Sequence, residues 1–199
     1  RLPEAQDMCG RITLEVGPID DGMRRVELAA QLEPALRPTS LLARARMYAL
    51  LGDWAACDRL FEEQPRDDAA RNLYWINLAR VTLWKRDADR AKRLRQELQS
   101  QSFAMKVVVD ALLGVIETGE PSKMLVDELV LRGKPGKAMR RASYFCQIRA
   151  EGMAFHGMHA ETIAALVEAD ALHVVDIVWL DRCPLFAETL ELIRPVSWS

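Results

Sequence analysis

Two histidines three residues apart, His156 and His159, stand at the end of a helical pattern and could chelate a metal from one helix end. A zinc site needs further ligands, and the nearest thiol in sequence, Cys146, lies well outside finger spacing. A helix terminus followed by a cap is the favoured reading. His173 stands alone. Cys183 beside Arg182 could be an activated thiol, but Pro184 and apolar flanks favour a packed, structural one. Gly133-Lys134-Pro135-Gly136-Lys137 has the residue types of a phosphate loop, yet it lacks a following Ser or Thr and follows no strand. It reads as a basic loop. Arg140-Arg141-Ala142-Ser143 matches an acceptor pattern for basic-directed kinases, but Ser143 falls in a helical stretch that a kinase cannot easily extend. The glycine-rich loop, catalytic-loop Asp and Asn, and metal-binding Asp of protein kinases are all missing. No catalytic, cofactor-binding or metal-binding residue is therefore expected, and the chain is read as a non-enzyme.

What could position side chains instead is a repeat. Leu41 to Gln99 can be laid on itself at an offset of 34 residues, Leu41 falling on Trp75. Leu41-x2-Arg44-Ala45-x2-Tyr48 then matches Trp75-x2-Leu78-Ala79-x2-Thr82. Gly52-Asp53-Trp54 matches Arg86-Asp87-Ala88, and Cys57-x3-Phe61 matches Ala91-x3-Arg95. Such self-similarity means one helix-turn-helix unit used repeatedly, each unit burying an apolar face on the next. Ala45 and Ala79 allow close helix approach, Cys57 and Ala91 fill the matching slot, and Tyr48, Trp54 and Phe61 are bulky fillers.

Composition agrees with an ordinary globular chain. Of 199 residues, 50% are hydrophobic and 28% charged, enough for a sizeable core. A net charge of −2 argues against a general nucleic-acid or anionic-membrane binder. No apolar run approaches the roughly 18 to 20 residues of a membrane span. The start, Arg-Leu-Pro-Glu, has no apolar signal core and no initiator Met, as expected of a fragment of a longer protein. Cys9, Cys57, Cys146 and Cys183 are widely spaced and are expected as free thiols in a reducing, cytoplasmic setting.

Taken in order, residues 1–38 form a degenerate N-terminal part. Ile12, Leu14 and Val16 alternate with polar residues, which suits a weak strand or an imperfect first helix. Pro18 opens a helix through about Glu33, with Asp20 and Asp21 at its positive end, and Pro34 and Pro38 stop it. Residues 39–101 hold two clear repeats. In the first, Thr39 or Ser40 caps a helix to Leu51, Gly52 turns, and Asp53 caps a helix ending near Gln64-Pro65. In the second, helices run near Asp68 to Lys85 and Asp87 to Ser100, with Arg86-Asp87 in place of the glycine turn. Residues 102–170 hold two divergent repeats. The first spans Ser102 to Leu131 with a turn at Thr118-Gly119-Glu120-Pro121. The second carries Cys146-x2-Arg149-Ala150-x2-Met153, Gly157-Met158-His159 and Thr162-x3-Leu166. Residues 171–199 are capping helices, near Val174 to Leu180 and Pro184 to Ile193, with Trp198 packing on the last or fraying.

Trp75-x2-Leu78-Ala79 within this 34-residue unit resembles the tetratricopeptide repeat (TPR) family. That resemblance implies an all-α fold, a right-handed α-α superhelix of about four to five helical hairpins forming a single domain over 1–199. A second resemblance lies in the tail. Arg140 to Glu151, Ala165 to Ala169, and Val175-Asp176-Ile177-Val178-Trp179-Leu180-Asp181-Arg182-Cys183-Pro184-Leu185 are similar to the TPR region of large bacterial signalling proteins, notably serine/threonine kinases whose kinase domain precedes the repeats. In the TPR family the first helix of each unit lines a concave groove. Leu42, Arg46 and Ala49 would form one stripe of it and Ile76, Arg80 and Leu83 the next. Arg46 and Arg80 would stack as a basic ladder with apolar flanks, suited to an extended or helical peptide bearing an acidic group. Asp110, Gln147 and Glu151 would turn the groove acidic toward the C-terminus. The Lys and Asn pattern of a carboxylate clamp for chaperone tails is not present.

The expected function is a protein-interaction or regulatory module, a fragment of a larger bacterial signalling protein. Its partner would be a protein or peptide, acidic in character, or another domain of the same polypeptide. No nucleic acid, membrane or cofactor is expected. The alternatives are a structural spacer or dimerisation segment and, from another class, a helical ligand-binding domain or enzyme.

Overall fold

The computed structural model describes residues 2–64, 70–125, 139–172 and 176–193; the side chains of 139–141 and 193 are also outside the description. The basic loop at 133–137, the expected helix start at Asp68, His173, Arg140, Arg141 and Trp198 therefore lie outside the described residues or side chains. Among the described residues the fold is all-α, with eleven α-helices and no strand. They are α1 (Pro3–Val16), α2 (Ile19–Leu32), α3 (Arg37–Leu50), α4 (Trp54–Glu62), α5 (Arg71–Lys85) and α6 (Ala88–Gln99). α7 (Lys106–Thr118), α8 (Met139–Phe155), α9 (His159–Ala171), α10 (Ile177–Arg182) and α11 (Ala187–Ile193) follow. Short 3-10 turns precede α3 at Pro34–Leu36 and α11 at Pro184–Phe186. None of the described helices is long and apolar enough to cross a membrane.

The chain divides into two compact units. The first gathers Arg1–Val81, Phe103–Met105 and Val175–Arg182; the second gathers Thr82–Ser102, Lys106–Val174 and Cys183–Ser199. The division falls inside α5.

In the first unit α1 and α2 form a hairpin whose contact is made by glycine. A Cβ on Gly10 would meet Val26 Cγ1 at 2.7 Å, and one on Gly22 would meet Leu14 Cδ2 at 2.8 Å. The two backbones approach closely because neither residue has a side chain, and Leu14, Val26 and Ala29 close the seam. The alternation of Ile12, Leu14 and Val16 thus belongs to a helix and not to a strand. Leu14 is buried, whereas Ile12 and Val16 point out.

α3 begins at Arg37, two residues before the expected cap. Pro38 sits in its first turn, where a backbone N–H has no helical partner to lose, so the proline starts this helix and does not end one. Thr39 donates its hydroxyl to the Leu36 carbonyl (3.0 Å), and Ser40 is buried. α3 and α4 pack through Ala45 and Cys57, both fully buried, with Leu41, Met47, Leu60 and Phe61 around them. Phe61 meets Tyr74 edge-on at 5.9 Å, and Trp75 stacks on Phe103 at 6.2 Å.

In the second unit α6 packs with α7, and α8 with α9. Ala142, Cys146, Ala169 and Leu172 form a buried cluster in the latter pair. An ion pair from Arg149 Nη1 to Glu168 Oε2 (2.7 Å) ties α8 to α9. α9 also meets α11, where His159 Nδ1 and the Thr189 hydroxyl lie 2.9 Å apart.

Three of the turns between consecutive helices share one geometry. At the end of α3 the Gly52 N–H reaches the Ala49 carbonyl (3.1 Å) and the Asp53 N–H reaches that of Tyr48 (2.9 Å). At the end of α5, Arg86 bonds Leu83 (3.0 Å) and Asp87 bonds Thr82 (3.3 Å). At the end of α8, Gly157 bonds Ala154 and Met158 bonds Met153, both at 3.1 Å. Asp53 and Asp87 then cap the following helices, accepting from the N–H of Ala56 and of Arg90, both at 2.9 Å. The third turn has no aspartate; Thr162 instead donates to the Met158 carbonyl at 2.7 Å. The architecture is helical and repeat-like.

Candidate functional site

The stripe expected to line an open groove is packed. Leu42 and Ala49 on α3 are buried, as are Ile76, Arg80 and Leu83 on α5; Arg80 is 1% exposed. Burial of Leu42, Ile76 and Leu83 takes their apolar side chains out of water, and Arg80 is buried as well and is not without a partner. The two arginines do not form an exposed ladder. The acidic continuation is not an open stripe: Gln147 and Glu151 are buried, and Asp110 on α7, half exposed, is paired with Arg95.

Arg46 has found its carboxylate inside the chain. Its Nη2 donates to Oδ2 of Asp176, a residue 130 positions later that belongs to the same unit. Both side chains are largely buried, at 14% and 9% exposure. The other carboxylate oxygen of Asp176 accepts from the Trp179 N–H at 3.1 Å, so the same group caps α10. The Leu180 N–H reaches the Asp176 carbonyl at 3.1 Å and completes the first turn.

α10 packs on α1 and α3 through one face. Trp179 is fully buried and Val178 nearly so, while Ile177, Leu180, Asp181 and Arg182 remain exposed. α10 is six residues long, too short to hold a helix alone in water. Its docking on unit 1 therefore rests on Trp179, Val178 and the Asp176 carboxylate.

Asp176 is not among the groove residues that the sequence points to. Its local signal is there: an Asp three positions before the Trp of an apolar run is helix-capping spacing. Its pairing with Arg46 has no local signal.

The other chemistry-bearing residues are not brought together. His156 lines a small recess with Pro121, Ser122, Leu125, Gly152, Met153 and Met158, while His159 faces Thr189. Burial pushes the His156 pKa down, the nearby Arg86 adds to this, and Glu120 opposes it. Burial also pushes the Cys146 thiol up, assisted by Glu168 and opposed by Arg149, so it is a poor nucleophile. Cys57 and Cys183 are buried free thiols as well, and Cys9 is exposed. Ser143 is buried, which puts its hydroxyl out of reach of a modifying enzyme. Among the described residues no group of three or more His, Cys, Asp or Glu could hold a metal ion.

No family model, no curated protein and no solved structure matches this chain.

Proposed function

We propose that this chain is a protein-interaction module with a regulatory role, built as a TPR-like right-handed superhelix and serving as the repeat region of a larger bacterial signalling protein in the cytoplasm. It binds and does not catalyse. The partner is a protein segment with an acidic group, from another protein or from another domain of the same polypeptide. The observation that supports this is the seating of Asp176 and α10 on unit 1 across 130 positions of sequence. That seat combines a guanidinium, which reads a carboxylate, with a buried slot that takes an indole. Short helices recognised by one apolar face and one charge are a general mode of docking.

The test is affinity capture of interacting proteins on the full chain and on Arg46→Glu, after circular dichroism has shown both equally folded. A partner lost with Arg46→Glu supports the module. Identical partner profiles would place docking elsewhere and remove Arg46 from the account.

The second reading, a dimerisation or spacer segment, has its own observation. Met8, Ile12 and Val16 recur every fourth residue of α1 and are 66%, 47% and 44% exposed, with Ala5 and Cys9 exposed beside them. A helix face without charge is unusual on a monomer and suits a second copy of the chain. Sedimentation velocity of the chain and of Ile12→Glu checks it: a dimer dissolved by the substitution supports self-association, and a monomer throughout removes it.

A further inference from the structure

We infer that Asp176 to Arg182 is a built-in ligand of unit 1, a latch that occupies the docking seat and is displaced by a partner segment of the same chemistry. This rests on the reading of unit 1 as a docking module. The seat lies on α1 and α3, and its occupant comes from 130 positions away. The occupant behaves as a ligand in three respects. It touches the unit by one face, with Val178 and Trp179 in and Ile177, Leu180, Asp181 and Arg182 out. It is too short to be a helix except when docked. One carboxylate carries both its recognition and its order, since Asp176 accepts from Arg46 and from the Trp179 N–H together.

That double use defines the partner. It is a short helical segment of another protein that begins with an aspartate and places an aromatic side chain three positions later. A longer carboxylate would reach Arg46 but cap its helix less well. A segment without the aromatic would leave the slot of Trp179 unfilled. A tethered ligand acts at an effective concentration in the millimolar range, so a free segment meets a seat already taken. Its apparent affinity is reduced by the fraction of chains that are open.

The probe is the peptide of residues 176–182, acetylated, amidated and labelled with fluorescein, read by fluorescence anisotropy against the full chain. Asp176→Ala removes the latch carboxylate and leaves Arg46 available. The expected result is peptide binding about tenfold tighter or more to Asp176→Ala than to the unsubstituted chain. Binding should be lost in Arg46→Ala and in a peptide carrying Asn for its aspartate. Hydrogen exchange gives a second measurement on the unsubstituted chain, where excess unlabelled peptide should leave the Trp179 and Leu180 amides of the chain itself less protected. The charge swap Arg46→Asp with Asp176→Arg guards against misfolding, since it restores an internal pair, gives up only the cap on the Trp179 N–H and repels the acidic peptide. Equal affinity for the unsubstituted chain and Asp176→Ala, or binding untouched by Arg46→Ala, overturns the inference. A chain that captures a protein through Arg46 but ignores this peptide would also sink it, and the module reading would stand. Peptide exchange in a chain with no Arg46-dependent partner would sink the module reading and leave an internal latch alone.

Discussion

Gly52 and Arg86, 34 positions apart (52 and 86), take the same left-handed backbone conformation, with φ of +79° and +53°. Each ends a helix, bonds back to the carbonyl three residues earlier, and hands the chain to an aspartate that caps the next helix. Glycine accepts this conformation freely, whereas arginine does so at a cost of about 1 to 2 kcal/mol. Arg86 offsets that with its side chain. Its Nη1 donates to the Phe155 carbonyl at 2.9 Å, and its guanidinium lies 4.6 Å over the Phe155 ring.

Substitution at both turns should separate backbone from side chain. Gly52→Ala should lower stability by about 1 kcal/mol or somewhat more, because nothing lies within 4 Å of the added Cβ and the penalty is in φ alone. Arg86→Ala and Arg86→Gly both lose the contact with Phe155, so the difference between them isolates the left-handed penalty. Arg86→Gly should be the more stable by about 1 kcal/mol. Urea titration of the four proteins reads it, and equal stability of the two Arg86 variants would show that the turn is not held at positive φ.

The turn geometry is legible in sequence because its causes are local. Gly52-Asp53, Ala45 and Cys57 lie close together within one repeat, and Ala79 and Ala91 recur at the matching positions of the next. The α1–α2 hairpin is less legible, since its contact is made by Gly10 and Gly22, which add nothing to a hydrophobic pattern. α1 also carries apolar residues on both sides, Leu14 inward and Met8, Ile12 and Val16 outward, which blurs the helical period. The helix that carries Arg46 is legible from the repeat, but its partner Asp176 is set by the folded chain and by no spacing. The repeat puts Arg80 on a groove face, yet it is buried, because a period locates a face and cannot say what covers it.

The glycines of the first hairpin should not tolerate a methyl group. Alanine is the better helix former by about 1 kcal/mol, so Gly10→Ala would stabilise an open position. Here the new Cβ would meet Val26 Cγ1 at 2.7 Å and the Val26 backbone nitrogen at 3.0 Å, and neither can swing away. Overpacking of this kind costs about 1 to 3 kcal/mol, so the net effect should be destabilising. Ala45→Trp and Ala79→Trp, at fully packed positions, should cost at least as much. Gly114→Ala is the control, because its Cβ would find Arg95 Cζ at an ordinary 3.7 Å, and it should be neutral or stabilising. Thermal midpoints check the set; a stabilised Gly10→Ala would mean α1 and α2 are farther apart than described.

Arg95 occupies the repeat position where Phe61 stands in the preceding unit, and it holds its neighbour by charge. Its Nε pairs with Asp110 at 3.0 Å and its Nη1 with Glu117 at 2.7 Å, linking α6 to α7. These groups are partly exposed, so each pair contributes about 0.2 to 1 kcal/mol. Arg95→Ala should lower stability by about 1 kcal/mol in low salt and by less in 1 M NaCl, where screening shortens to about 3 Å. Urea titrations at the two salt concentrations test this, and a loss independent of salt would assign the role of Arg95 to packing of its stem.

His156 should make stability depend on pH in a defined window. Its folded pKa lies below the ordinary value of 6.5, because burial in the recess disfavours the imidazolium, Arg86 repels it, and Glu120 compensates in part. The unfolded chain therefore binds a proton at a higher pH than the folded one does. Between the lowered pKa and 6.5 the unfolded state carries more protons, so stability rises with pH there. The contribution is fully present above about pH 6.5 and is lost as pH falls through the folded value. Asp21, whose carboxyl is held down by Arg25 first and Arg24 second, acts in the same direction but at more acid pH, below its ordinary 3.8. The two windows are thus separable. Unfolding free energies measured from pH 8 to pH 5 should decline below about 6.5 in the unsubstituted chain, and His156→Gln should flatten that decline. A profile that keeps its slope in His156→Gln would assign the titration to another group.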